Sequence, residues 1–431
     1  MEIKRDTYLE QLRIRRNNGF VKVITGIRRS GKSYLMNELF YESLLRDGMD
    51  EDHILRFAFD SAQDLNLIGE DLLELQDTGR KVDPVKFMNF ADSRINQEEA
   101  FVLLLDEVQL LGNFEAVLNG YLRRRNLDIY VTGSNSKFLS SDILTEFEGR
   151  GDEIHVYPLV FSEFMSVYKG TAEEGFDDYS VYGGLPAVAL MENSAQKAGY
   201  LATQMKNVYL RDIVKRYNLQ SDVNIGEVLD VLASGISTLV NPSNISNTFK
   251  SEKKVSIAPE TVANYISYME DAFLVKRVKR YDVKGRKLIN TPYKVYFEDM
   301  GLRNARLDFR QIEQTHIMEN IIFNELRFRG YAVNVGMVEI REKDEDRKEK
   351  KVQTEIDFIA SMGSRKYYIQ SAYAIPDQKK KKQETRGFDH VNDSFKKIIV
   401  VDGAMKPRID EKGYVTMGIR NFLLNPDSLD M

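Results

Sequence analysis

The stretch VITGIRRSGKSYLMNELF, residues 23–40, constrains the fold more than any other. An apolar run ends in a loop with two glycines, and a helical pattern opens directly after it. Gly26-x-x-x-x-Gly31-Lys32-Ser33 has the spacing of a phosphate-binding loop. Glycines at both ends let successive backbone N–H groups turn inward around a phosphate. The helix begun at Lys32 adds the partial positive charge of its N-terminus. In this reading Lys32 reaches the β- and γ-phosphates and the Ser33 hydroxyl ligates Mg²⁺. Arg28, Arg29 and Ser30 fill the variable part of the loop, and Tyr34 follows it. The two arginines suit either the nucleotide or carboxylates of a neighbouring domain.

A second acidic signal completes the expected site. FVLLLDEVQ places Asp106 and Glu107 at the end of an apolar strand. Asp106 is the candidate for the Mg²⁺ shell, and Glu107 for orienting or deprotonating the attacking water. IYVTGSNS ends a further strand, and Ser134 or Asn135 is the candidate γ-phosphate sensor; a plain turn is the competing reading. Arg150 is a candidate arginine finger, in cis or in trans, with a structural ion pair as its alternative. The expected ligands are therefore ATP and Mg²⁺.

Apolar runs at 20–25, 54–59, 101–105, 129–132 and 154–157 alternate with helical stretches, which predicts a parallel sheet covered on both faces. The 431 residues suggest several domains. We expect an ATPase core over 1–165, a helical lid over 166–225, a winged helix over 226–300 and an α/β domain over 301–431. The runs at 341–351 and 379–382 read as solvated hairpins or loops. The formal net charge of −5 excludes a general polycation, so nucleic-acid affinity has to come from a local patch. The absence of cysteine removes disulfides, thiolate catalysis and Cys-ligated zinc. With no long apolar run, a cytoplasmic chain without a membrane span is expected.

GIRRSGKS, LLLDEVQ, VTGSNSKFLS, GRGDEIHVYPLVFSEF, YGGLPAV and YLRDIVKRY come in this order along the chain. Together they resemble the prokaryotic AAA+-superfamily ATPases whose C-terminal half is a domain of unknown function. The resemblance implies a P-loop fold of the additional-strand type, with the acidic strand not adjacent to the P-loop strand. It also implies that Gly183, Gly184, Pro186, Arg211 and Asp212 match family motifs, with a shaping role expected at a lid-to-sheet junction.

Residues 241–288 have a two-helix rhythm followed by a basic stretch. Asn244 to Lys254 is the first expected helix, and Pro259 suits the first position of the second. Val262, Ile266, Met269 and Phe273 form one apolar stripe. Lys276, Arg277, Lys279, Arg280, Lys284, Arg286 and Lys287 stand against the single acid Asp282. Helix, turn, helix and basic hairpin describe a winged helix that contacts duplex DNA. A spacer or protein-docking module is the alternative, so a protein partner stays open, as does oligomerisation.

The C-terminal order of helix and strands resembles a PD-(D/E)XK restriction-nuclease-like fold. That resemblance would gather Glu319, Glu355, Asp357 and Gln370 around a metal. Glu355 and Asp357, two apart on a strand, share a face. Glu319 and Glu325, six apart on a helix, point in different directions. The position of the usual lysine holds Ala372, and Lys366, on the same strand face, lies about 13 Å along the strand from Gln370. We therefore expect a fold of this kind without efficient cleavage.

Overall fold

The computed structural model describes residues 3–133, 149–254, 256–343 and 349–431. The chain forms two compact units, one holding the residues up to 157 with Asp271–Phe273, the other holding 158–270 and 274–431. Among the described residues no helix is long and apolar enough to cross a membrane.

In the first unit the early apolar runs become β1 (Val21–Thr25), β2 (Ile54–Ala58), β3 (Phe101–Asp106), β4 (Leu127–Thr132) and β5 (Gly151–His155). All are parallel, in the order β2-β3-β4-β1-β5. β4 separates the P-loop strand β1 from the acidic strand β3, which is the additional-strand order. β3 is buried along its whole length, as a strand covered on both faces must be. Its side chains join Phe57, Phe59 and Phe87, whose rings meet at 4.9–5.2 Å. One charge interrupts this apolar interior. Lys22 of β1 makes a buried ion pair with Asp128 of β4 and also donates to Phe20 O at 2.9 Å. A lone ammonium there would be strongly disfavoured, so the pairing is obligatory.

The second unit begins with helices, from Phe161–Met165 to Val223–Ser234, interrupted at the Gly-Gly of YGGLPAV. Backbone crowding explains both glycines. A Cβ on Gly183, at φ +74°, would lie 2.4 Å from an Asp299 carboxylate oxygen. One on Gly184 would lie 2.1 Å from Leu159 O. Asp299 accepts from Gly184 N at 2.8 Å and from Leu302 N at 2.9 Å, so it caps the buried helix Met300–Arg306.

A nine-stranded sheet forms the rest. Its members are β6 (Leu239–Val240), β7 (Val275–Asp282), β8 (Lys287–Phe297), β9 (Ala332–Lys343), β10 (Glu349–Met362), β11 (Arg365–Ala372), β12 (Lys396–Val401), β13 (Arg408–Ile409) and β14 (Val415–Gly418). The order is β13-β14-β12-β11-β10-β9-β7-β8-β6. The basic hairpin β7–β8 is thus continuous with the C-terminal strands, through parallel pairing of β7 with β9. Before the hairpin lie the helices Pro242–Thr248, prolonged by a π segment Phe249–Lys253, and Pro259–Asp271.

Two expectations need correction here. Phe273 does not continue the apolar stripe, because the helix ends at Asp271 and Phe273 sits at φ +56°. Lys379–Lys382 are not a loop but part of the helix Gln378–Asp389. Asp377 caps that helix by accepting from Lys380 N at 2.7 Å, and Lys380 pairs with Glu384 one turn on. Phe388 anchors it in the core beneath, while the lysine face stays polar.

Candidate nucleotide site

The loop between β1 and the helix that opens at Lys32 is held in a shape that only glycine tolerates at its ends. Gly26 has φ +136°, and a Cβ there would lie 2.2 Å from Val156 O. Gly31, at φ +95°, precedes the helix. Arg29 is also in the left-handed region, at φ +63°, and both Arg28 and Arg29 are exposed. The Lys32 ammonium, itself buried, donates to Gly26 O and Ile27 O, each at 3.0 Å. Ser30 Oγ is buried without a hydrogen-bond partner among the described residues. Tyr34 is 44% exposed on the first turn.

Asp106 is the centre of the acidic half. The Ser33 hydroxyl donates to its Oδ1 at 3.2 Å, Asn37 Nδ2 donates to its Oδ2 at 3.1 Å, and the Thr132 hydroxyl donates to Oδ1. Thr132 Oγ1 in turn accepts the Glu107 N–H at 3.1 Å. Glu107 sits at φ +51°, a conformation costly for a residue with a side chain, and Gln109 Nε2 donates to its carboxylate. Burial pushes the Asp106 carboxyl above the ordinary range, against the hydrogen bonds from Thr132 and Ser33, and Glu107 adds to the rise. Burial likewise raises Asp60, just beyond β2, helped by Glu107 and Asp106. Ser33 and Asp106, already hydrogen-bonded to each other, are the residues that would hold a divalent cation here.

Lys32, Ser33, Asp106 and Glu107 therefore occupy one end of the sheet, where β1 and β3 finish. Arg150 lies just before β5, its carbonyl accepting from Val21 N at 2.9 Å. Ser134 and Asn135 lie outside the described residues. Four polar partners escaped the motif reading: Asn37, Asp60, Gln109 and Thr132. Asn37 stands one helical turn after Ser33, which is a readable signal. Thr132 becomes visible only once β4 is known to lie beside β3.

The basic residues of the hairpin divide into two groups. Lys276 and Arg277 both pair with Glu270, at 2.9 and 2.6 Å, and Arg280 donates to Pro292 O at 3.0 Å. Burial alone would raise Glu270, yet Lys276 and Arg277 hold it below the ordinary range. Lys279, Lys284, Arg286 and Lys287 are exposed around the turn, with Lys284 Nζ donating to Glu339 O at 2.7 Å.

In the C-terminal part, Glu319, Glu355 and Asp357 come together, and Lys294 of β8 lies among them. Gln370 instead donates to Glu384 Oε2 at 3.2 Å. Glu325 pairs with Arg329 at 2.7 Å. Lys366 Nζ lies 4.8 Å above the Phe395 ring, and Ala372 is buried in the core.

The strand order and the loop geometry are those of a P-loop domain. Residues 18–165 match the model of an AAA domain, and residues 173–313 match a domain of unknown function (DUF8612). An uncharacterized protein of Haemophilus influenzae is 32% identical over 404 residues, spanning 92% of this chain and 93% of that one. This chain belongs to the same family. An uncharacterized protein of Methanocaldococcus jannaschii is 25% identical over 422 residues, spanning 92% of this chain and 86% of that one. The crystal structure of Cdc6p from Pyrobaculum aerophilum covers 74% of this chain and 94% of that one, at 12% identity and a TM-score of 0.30. That likeness is too slight to argue from.

Proposed function

We propose that this chain is an ATPase whose nucleotide state governs binding of a macromolecule by its second unit. The observation that carries the reading is the convergence of the Ser33 hydroxyl, Asn37 and Thr132 on Asp106, at the mouth of a glycine-lined loop. Gly26 to Gly31 would cradle the β-phosphate with backbone N–H groups. Lys32, released from the loop carbonyls it now caps, would reach the β- and γ-phosphates. Ser33 and Asp106 would hold Mg²⁺, which when bound neutralises phosphate oxygens. Glu107, oriented by Gln109 and Thr132, would take the proton of the attacking water. Arg150 is kept as the candidate finger toward the developing charge.

The partner we favour is duplex DNA. The helices 242–253 and 259–271 with the hairpin β7–β8 are read as a winged helix, its exposed Lys279, Lys284, Arg286 and Lys287 available to phosphates. The C-terminal α/β part is read as nuclease-like but not cleaving, since Ala372 replaces the usual lysine. A second reading, in which the partner is a protein, is favoured by one observation: Glu270 neutralises Lys276 and Arg277.

The test is ATP turnover by wild type and Lys32→Ala, each with and without duplex DNA. Wild type should hydrolyse ATP, DNA should speed it, and the variant should be silent. Absence of ATP binding with magnesium at about 1 mM, the upper end of the usual range, would overturn the whole reading. Turnover that ignores DNA but responds to a protein would select the second reading.

A further inference from the structure

Lys294 is an unusual residue to find in a sheet interior. It lies on β8 between Tyr293 and Val295, and its side chain is only 5% exposed. Its ammonium is 2.6 Å from Glu355 Oε1, 2.9 Å from Glu319 Oε1 and 3.9 Å from Asp357 Oδ1. These carboxylates come from the helix Gln314–Phe328 and from β10. The remaining contacts fasten the carboxylates rather than compete for the centre. The Tyr296 hydroxyl donates to Glu319 Oε1 at 2.6 Å, and Ser371 N donates to Asp357 Oδ2 at 2.8 Å.

A β-bulge lies beside the gathered carboxylates. The pairing of β10 with β9 slips between Ile356 and Ile359, so Asp357 and Phe358 together oppose one residue of β9. Ile356 joins the core around Phe388, while Phe358 packs against Tyr296 and Phe323. Asp357, two residues from Glu355, shares its side of the strand and lies 3.9 Å from the ammonium. Buried charges persist only when paired, and here one ammonium faces three carboxyl groups, of which Asp357 is pushed well above the ordinary carboxylate range by burial and by Glu319. Burial alone would lower the Lys294 amine, but Glu319, Asp357 and Glu355 outweigh it and keep it protonated. Among the described residues no three acidic or histidine side chains are arranged to hold a metal ion.

We propose that Lys294 is a built-in cation standing where a divalent metal would otherwise sit, so that this acidic centre is metal-free by construction and becomes a metal site when the ammonium is removed. The inference rests on the geometry around Lys294 and is independent of the nucleotide reading. It adds to the substitution at Ala372 a second, positive reason for the centre to be inert: an ammonium already occupies the space among the carboxyl groups.

The experiment is a Mn²⁺ titration followed by electron paramagnetic resonance, on the nucleotide-free full chain. All proteins carry Asp106→Asn, so that the P-loop contributes no Mn²⁺. The parent should show no Mn²⁺ binding that depends on Asp357. Lys294→Met should take up one Mn²⁺ at least about tenfold more tightly than the parent, the size expected when a dominant neighbour of a metal ligand changes. Adding Asp357→Asn should abolish that uptake. Thermal melting gives an independent readout: Lys294→Met should melt below the parent, and Mn²⁺ should restore it while leaving the parent unmoved. If Lys294→Met fails to fold, Lys294→Met with Glu355→Gln removes one repulsive charge and is read in the same way. An Asp357-dependent Mn²⁺ site in the parent, or a folded Lys294 variant that gains none, would overturn the proposal.

Discussion

The backbone N–H of Gly184 donates to the carboxylate of Asp299 at 2.8 Å, across 115 positions of sequence. Asp299 is nearly inaccessible, at 2% exposure. Burial pushes its carboxyl up to about 6 from 3.8, against the hydrogen bonds from Gly184, Leu302 and Gly301 that favour the anion. The folded state therefore holds this proton more tightly than the unfolded state. The resulting stability is fully present below pH 3.8 and is lost as pH rises through about 6, a span worth about 3 kcal/mol. Urea unfolding at pH 5 and pH 7 should show the advantage of wild type over Asp299→Asn shrinking by about 1 kcal/mol at the higher pH. An advantage that grows with pH would refute the assignment.

Gly184→Ala should destabilise the second unit by about 2 kcal/mol or more, because its Cβ would lie 2.1 Å from a backbone carbonyl that cannot move aside cheaply. Gly199→Ala is the matched control. It lies within the helix Ser194–Thr203, and its Cβ meets nothing within 4 Å. That substitution should stabilise by about 0.5–1 kcal/mol through helix propensity. Denaturant midpoints of the two variants should move in opposite directions.

Thr132→Val keeps the shape of the strand end but removes the hydroxyl that joins Asp106 to the Glu107 N–H. ATP turnover should fall by about 10- to 100-fold, the range for a residue that orients ligands rather than touching substrate. Nucleotide affinity should stay within about threefold, since the P-loop is untouched. Equal losses in affinity and turnover would place Thr132 on the nucleotide itself.

In the hairpin, Lys279→Ser, Arg286→Ser and Lys287→Ser should each flatten the dependence of DNA affinity on salt by about one in the log–log slope. Lys276→Ser should leave that slope unchanged, because its charge is already answered by Glu270 at 2.9 Å. A uniform response across all four would mean that Glu270 releases its partners on binding.

What could be read from the chain followed from how local each signal was. The glycines, Lys32 and Ser33 lie within eight positions, Gly26 to Ser33, and strand, loop and helix follow from them without knowledge of distant contacts. Asp106 and Glu107 were legible for the same reason. Thr132 was not, because its meaning depends on β4 lying beside β3. Lys294 was less legible still. Between Tyr293 and Val295 it reads as the solvent face of an alternating strand, and only the helix bearing Glu319, with Glu355 of β10, makes that face an interior one. The lysine helix at 379–382 was hidden because its anchor, Phe388, lies several positions later. The basic hairpin was visible as charge, but not the fact that Glu270 silences part of it.

β8 leads from Lys287, at the exposed turn, to Lys294, among the buried carboxylates. Between them the pairing with β7 slips: Ile289 stands opposite Arg280 and Lys294 opposite Val278, so residues 290–293 bulge against Lys279 alone. Such a bulge holds slack between the two lysines. A pull on the hairpin tip is therefore taken up there before it reaches the buried ammonium.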